Sequence, residues 1–181
     1  MVIKILNRRK YNDSELDEIL KSMIILIDTA EKKIDHITDY YDKHNIQYKR
    51  MKLPSFDYSF MIPKNEKLGI QYDMTFYNDC SLERKRNLEE ISTNFSSKRV
   101  QFNDEFSRSW CKNKHLLIEN ANYQDIVNGN YNTQYNKKSF LGSLHSFSAK
   151  YGLHIMFLPD DSYSAIYIYG VFQYYLRYLI K

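Results

Sequence analysis

Three short apolar runs constrain what this chain can fold into. They are Met23-Ile24-Ile25-Leu26-Ile27, His115-Leu116-Leu117-Ile118 and Leu153 to Leu158. Each is about the length of one strand, rich in branched side chains, and closed by an acidic residue or by Pro159-Asp160-Asp161. The first two are read as short buried strands and the third as the last strand. Helical periodicity separates them. Residues 11–22 place Leu16, Ile19 and Leu20 on one face, with Asp13-Ser14-Glu15-Leu16 offering the N-cap. Residues 31–44 do the same with Ile34, Ile37, Tyr40 and Tyr41. Residues 87–111 give the longest pattern, with Leu88, Ile91, Phe95, Phe102, Phe106 and Trp110 in phase and Ser96-Ser97 as a break. Further helices are expected over 139–151 and 162–180. Ile46 to Ile62 reads as extended around Pro54, 63–69 as a turn, and 70–84 as extended with a break near Asn78-Asp79.

Strands alternating with helices predict an α/β fold, a central mixed sheet flanked by helices. The 181 residues suffice for one core, and five Gly and three Pro leave little material for linkers. The expected organisation is an N-terminal helical extension over 1–22 and a single domain over 23–181. The strongest apolar stretch, Ile166 to Ile180, is too short to span a bilayer and carries Gln173 and Arg177. With Asn7-Arg8-Arg9-Lys10 interrupting any leader, a cytoplasmic protein without a membrane role is expected. Cys80 and Cys111 read as free thiols. The five histidines make no cluster at zinc-ligand spacing. A net charge of +4 is compatible with nucleic acid without identifying it.

The segment that carries chemistry is Leu82-Glu83-Arg84-Lys85. On a strand, Glu83 and Lys85 project to one face and Arg84 to the other. Asp57, on the preceding extended segment, approaches Glu83 if the two segments pair. Two carboxylates make a hard oxygen site suited to Mg²⁺ or Mn²⁺, and the lysine adds positive charge where a phosphate transition state builds negative charge. Taken alone, an acidic-x-Lys triplet is weak evidence, since solvated surfaces produce many.

Three matches in order strengthen it. Ile27-Asp28-Thr29-Ala30-Glu31 resembles the Val-Asp-Thr-Arg-Glu strand end of the XPF-type nuclease family. Phe56-Asp57-Tyr58 resembles its Gly-Asp-Tyr motif, and Glu83-Arg84-Lys85 through Glu89 resembles its Glu-Arg-Lys-x-x-x-Asp signature. Together with Lys98 to Phe102 and Leu116 to Glu119, the similarity covers roughly residues 23–160 and looks most like the small stand-alone bacterial and phage members. The resemblance implies a restriction-endonuclease-like fold and a metal-dependent endonuclease acting on DNA, with flap, fork or junction DNA as candidate substrates. It implies Asp28, Asp57 and Glu83 as acidic site residues, Lys85 as the catalytic lysine, and Arg84 as a supporting or phosphate-contacting residue. Glu89 stands where the family has Asp, so the implied metal set is Asp28, Asp57, Glu83 and Glu89. Ala30 departs from the family's arginine, and Ser55-Phe56 depart from its small residue and glycine.

Other features carry two readings. Glu119 is read as a solvated strand end, with a supporting acid as the alternative. Asp73 is a spare carboxylate near the site by sequence. Asn128 to Asn132 with Lys137-Lys138 is either a DNA-contacting loop or a polar surface loop. The 166–180 helix is apolar nearly all round, so it is either deeply buried or shared with a partner, a second copy being the first candidate. The rival from another functional class is a non-catalytic DNA- or protein-binding module on the same fold, such as a phage counter-defence protein with an unidentified host partner.

Overall fold

The computed structural model describes residues 10–181. Residues 1–9 of the expected N-terminal extension, including Asn7, Arg8 and Arg9, lie outside the described residues. The chain runs α1 (Asp13–Lys21), β1 (Ile24–Ile27), α2 (Asp35–Lys43), β2 (Tyr48–Arg50), β3 (Tyr58–Ile62), β4 (Met74–Thr75) and β5 (Cys80–Lys85). It continues with α3 (Leu88–Phe95), α4 (Arg99–Arg108), β6 (Asn113–Glu119), α5 (Tyr123–Asn128), α6 (Lys137–Tyr151), β7 (Leu153–Leu158) and α7 (Ser164–Ile180). Short 3₁₀ turns occupy Glu66–Leu68 and Asp161–Tyr163.

The strands form one sheet in the order β2-β1-β3-β5-β6-β7, with β4 paired to β3. β1 pairs parallel to β2 and antiparallel to β3, β3 pairs antiparallel to β5, and β5, β6 and β7 run parallel. The expected mixed sheet between helices is therefore the fold.

Strand alternation divides the core. Ile25 and Ile27 of β1, Tyr58 and Phe60 of β3, Leu82 of β5 and Leu117 of β6 face α1, α2 and α7. Leu116 and Ile118 of β6, with Leu153 of β7, face the opposite layer of α3, α4, α5 and α6. α1 contributes Leu16, Ile19 and Leu20 to the first core, so it is packed into the same body as the sheet. At roughly 25 cal/mol per Å² of apolar surface, these layers supply the main driving force for folding.

Several local expectations change. The first helix is capped by Asn12, whose side chain accepts from Glu15 N while the Glu15 carboxylate accepts from Asn12 N. The second helix begins only at Asp35, because residues 31–34 form the crossing over the sheet end and Lys33 has φ 55°. The break at Ser96-Ser97 is real and separates α3 from α4. Trp110 is not in phase with that helix, since α4 ends at Arg108 and the indole stands 85% exposed. Residues 123–128 of the polar 122–138 segment form α5, capped by Asn122 and stopped by Gly129 at φ 79°. α7 buries Ile168, Phe172, Leu176 and Leu179 but leaves Ile166, Tyr174 and Tyr178 exposed, so burial is one-sided. No helix of the described residues is long and apolar enough to cross a membrane.

Candidate active site

The register of β3 on β5 sets the site. Tyr58 lies opposite Leu82, so one step along the antiparallel ladder puts Asp57 across from Glu83. Two bonds lock that placement: Asp57 N donates to Leu82 O at 3.1 Å, and Arg84 N donates to Asp57 Oδ2 at 2.8 Å. Asp28 N in turn donates to Asp57 O at 2.8 Å, which ties the end of β1 to the same loop.

Alternation along β5 then sorts three adjacent side chains. Glu83 and Lys85 project under α4: the Lys85 ammonium donates to Glu83 Oε1 at 2.5 Å and lies 5.3 Å from the centre of the Phe102 ring. Both are buried, and Glu83 Oε2 has no hydrogen-bond partner. Arg84 projects to the α2 side. Its guanidinium bonds Glu31, donates from Nε to Glu119 Oε1 at 2.8 Å, and donates to Lys33 O at 3.1 Å. Glu119 is thus a buried supporting acid and not a solvated strand end; burying its charge requires the Arg84 partner, which lies on the adjacent strand.

Electrostatics follow from this crowding. Burial, then the Glu83 and Glu31 carboxylates, push the Asp57 carboxyl well above its ordinary range, against the Lys85 ammonium and the Arg84 N–H. Burial works against the Lys85 charge, but Glu83 and Asp57 outweigh it and hold the ammonium charged. Glu105 of α4 is raised to about 7 by burial and by Glu83. An unpartnered buried carboxylate oxygen beside a second carboxyl that resists ionisation is a site short of positive charge. A divalent cation fits that deficit, and Glu83 with Asp57 provides hard oxygen donors for it.

An open cleft of about 650 Å³ leads to this centre, lined in part by Asp28, Lys52, Asp57, Gln101, Glu105, Arg108 and Trp110. Asp28 belongs to it, but its carboxylate is already engaged. Leu53 N (2.6 Å), Ala30 N (2.8 Å) and Lys52 Nζ (3.2 Å) all donate to it. Burial opposes its charge, and the Leu53 and Ala30 N–H groups with Lys52 reverse that, holding its carboxyl below the usual range. Asp28 therefore acts on the loop that carries Asp57 and is the member least free to take a metal.

Glu89 is not brought to this centre. It is the second residue of α3, and its Oε1 accepts from Asn132 N at 2.8 Å beside a separate hollow lined by Arg86, Asn87 and Lys98. The next residue, Glu90, turns back toward the site, accepts from Arg86 N and Nε, and its charge reaches Lys85. Asp73 is also remote in role: it is exposed and accepts from Lys64 N at 2.9 Å within a turn.

The departures before Asp57 have a structural consequence. Phe56 has φ 63°, the left-handed region where a glycine is at ease. The chain keeps the turn with a phenylalanine, whose ring is 5% exposed and packs 4.9 Å from Phe106. Where the first motif lacks its arginine, at Ala30, Arg50 of β2 donates to the Thr29 and Glu31 carbonyls and so braces the same turn.

Glu31, Glu105 and Glu90 are the acids that sequence reasoning missed. Glu31 could have been found, because it closes the first motif. Glu105 had no local signal, since only the packing of α4 over β5 brings it near Glu83.

The ERCC4 domain model matches residues 27–171, four fifths of the chain. Among solved structures, the chain resembles XPF from Aeropyrum pernix with TM-score 0.56 and 13% identity, over 82% of this chain and 59% of that one. It also resembles XPF from Aeropyrum pernix in complex with DNA, with TM-score 0.60 and 14% identity, over 84% of this chain and 64% of that one. The chain thus spans about three fifths of the length of those chains. A comparison with curated proteins returned no match. At such low identity the structural likeness speaks to the fold, while the domain match speaks to descent: this chain belongs to the ERCC4-domain family, a family of DNA nucleases.

Proposed function

We propose that this protein is a metal-dependent DNA endonuclease whose centre is Asp57, Glu83 and Lys85. The observation that carries the reading is the Glu83–Lys85 pair: one carboxylate oxygen is held by the ammonium, and the other, buried, has no partner beside Asp57. A protein that only binds DNA gains nothing from a buried carboxylate left half-satisfied, which costs stability.

Asp57 and Glu83 would hold the cation. A bound Mg²⁺ or Mn²⁺ supplies charge neutralisation at the scissile phosphate and favours deprotonation of an attacking water. Lys85 does three things from one position. It fixes the rotamer of Glu83, keeps Oε2 free, and sets a permanent positive charge where the transition state gains negative charge. Arg84 acts through the backbone, its N–H orienting Asp57, while its guanidinium, spent on Glu31 and Glu119, anchors the strand. Asp28 positions the loop. Lys52 and Arg108 at the cleft walls meet phosphates, and the exposed Trp110 offers a face on which a base can stack. The homologue solved with DNA supports the substrate class.

The test is incubation with flap, fork, Holliday-junction and linear DNA in Mg²⁺, in Mn²⁺ and in chelator, with Glu83→Ala and Lys85→Ala beside the parent. Cutting that needs the cation and both side chains supports the reading. Cleavage that persists in either variant assigns the activity elsewhere.

A further inference from the structure

We infer that the chain carries a second divalent-cation site, formed by His36, Glu119 and Asp161 on the opposite face of the sheet from Glu83 and Lys85. His36 is the second residue of α2, Glu119 the last of β6, and Asp161 the first of the 3₁₀ turn after β7. One ligating atom from each lies within 4.8 Å of the other two. His36 Nε2 stands 3.2 Å from Glu119 Oε1, and bonds of ~2.0–2.2 Å to a shared first-row cation set neighbouring ligand atoms roughly 3–3.6 Å apart. The His36–Glu119 pair is already at that spacing, and Asp161 lies within 4.8 Å of both.

The second observation is Glu119 itself. Its side chain is 1% exposed, Oε1 takes both the Arg84 Nε–H and the His36 ring, and Oε2 has no partner. If pairing with Arg84 were its whole role, a buried oxygen would be left unsatisfied for no gain. Charge points the same way. Arg84 is shared between Glu31 and Glu119, so one guanidinium faces three carboxylates once Asp161 is included. Asn120 Nδ2 donates to Asp161 Oδ2 at 3.2 Å, which fixes that carboxylate while leaving its other oxygen free for coordination. His36 is 25% exposed, so water can complete the coordination sphere.

One imidazole with two carboxylates suits a borderline cation such as Zn²⁺ or Mn²⁺ better than Mg²⁺. Bound there, the cation cross-links α2, the end of β6 and the segment leading into α7. It also holds the acid that anchors Arg84. The role is structural and does not depend on the chain being an active nuclease.

The experiment is calorimetric titration of the full chain with Zn²⁺ in an Asp57→Asn/Glu83→Gln background, which silences the cleft. A single Zn²⁺ site is expected there. Adding His36→Ala or Asp161→Asn should weaken it by at least ~10-fold and abolish the rise in unfolding temperature that Zn²⁺ confers. Should His36→Ala fail to fold, His36→Gln keeps a polar contact to Glu119 and is a poor ligand. Should the cleft variant fail to fold, the parent is titrated with Zn²⁺ in excess Mg²⁺. No Zn²⁺ binding in the background protein, or unchanged binding after either substitution, overturns the inference.

Discussion

Replacing Lys85 by Met tests the electrostatic logic of the centre. The methionine keeps the length and the apolar contact with Phe102 but removes the ammonium that bonds Glu83 Oε1. Glu83 is then a buried carboxylate with neither oxygen satisfied, beside Asp57, and with Glu105 adding its own charge. Breaking a buried pair in this way costs about 3–5 kcal/mol. For a chain of this size, with roughly 2–4 °C lost per kcal/mol, the unfolding temperature should drop by about 6–20 °C. The diagnostic result is the double variant. In Lys85→Met/Glu83→Gln the stranded charge is gone, so the double variant should be more stable than Lys85→Met alone, with a coupling of ~1–3 kcal/mol. Mn²⁺ should also restore part of the loss in Lys85→Met, because the cation takes over the role of the ammonium. The assay is urea unfolding of the four proteins of the cycle, with chelator and with Mn²⁺. Additive losses within ~0.5 kcal/mol, insensitive to Mn²⁺, would refute the charge-deficit picture.

Phe56→Gly should destabilise less than Phe56→Ala, although it removes more atoms. Glycine relieves the φ 63° backbone by ~1–2 kcal/mol, while both substitutions lose the packing on Phe106. Denaturant midpoints order the two variants, and the reverse order denies the strain. Glu105 has an ordinary carboxyl value of 4.5 raised to about 7 in the folded protein. The unfolded chain therefore releases this proton first, and the folded state loses stability as pH rises from about 4.5 to about 7. Glu105→Gln should flatten that part of the metal-free stability profile; a parallel profile would remove Glu105 from the account. Trp110→Ala should leave the unfolding temperature unchanged and weaken DNA binding by the ~1–3 kcal/mol of one stacked base. As the chain's sole tryptophan, Trp110 should also be quenched in the parent on adding DNA, and an unquenched indole would place the substrate elsewhere.

The legible parts of the fold were those that depend on local composition. Met23–Ile27 and His115–Ile118 became β1 and β6 because a strand covered on both faces needs a continuous apolar run, whereas Leu153–Leu158 became β7, an edge strand that leaves Met156 exposed. β2, with only Tyr48, Lys49 and Arg50, sits at the sheet edge and carries no such signal. Glu83 and Lys85 were legible because a period of two is fixed by the strand itself. Asp57 depended on register, which the β3–β5 pairing supplied. Glu119 misled because its partner, Arg84, is remote in sequence, and an acid at a strand end looks solvated until its cation is known. Glu89 misled for a different reason: the start of α3 at Leu88 turns it toward Asn132 and gives the inward position to Glu90.

The central claim is tested most directly by single-turnover cleavage of a labelled DNA duplex carrying a flap, in Mn²⁺, by the parent and by Glu83→Gln. Loss of an essential charged group of this kind costs roughly 10²–10³-fold or more in rate. The expected result is cutting by the parent that falls by at least that factor in Glu83→Gln, while binding of the same DNA is retained. A parent that binds but never cuts, or a Glu83→Gln variant that cuts as fast, would contradict the account and leave a DNA-binding module on a nuclease fold.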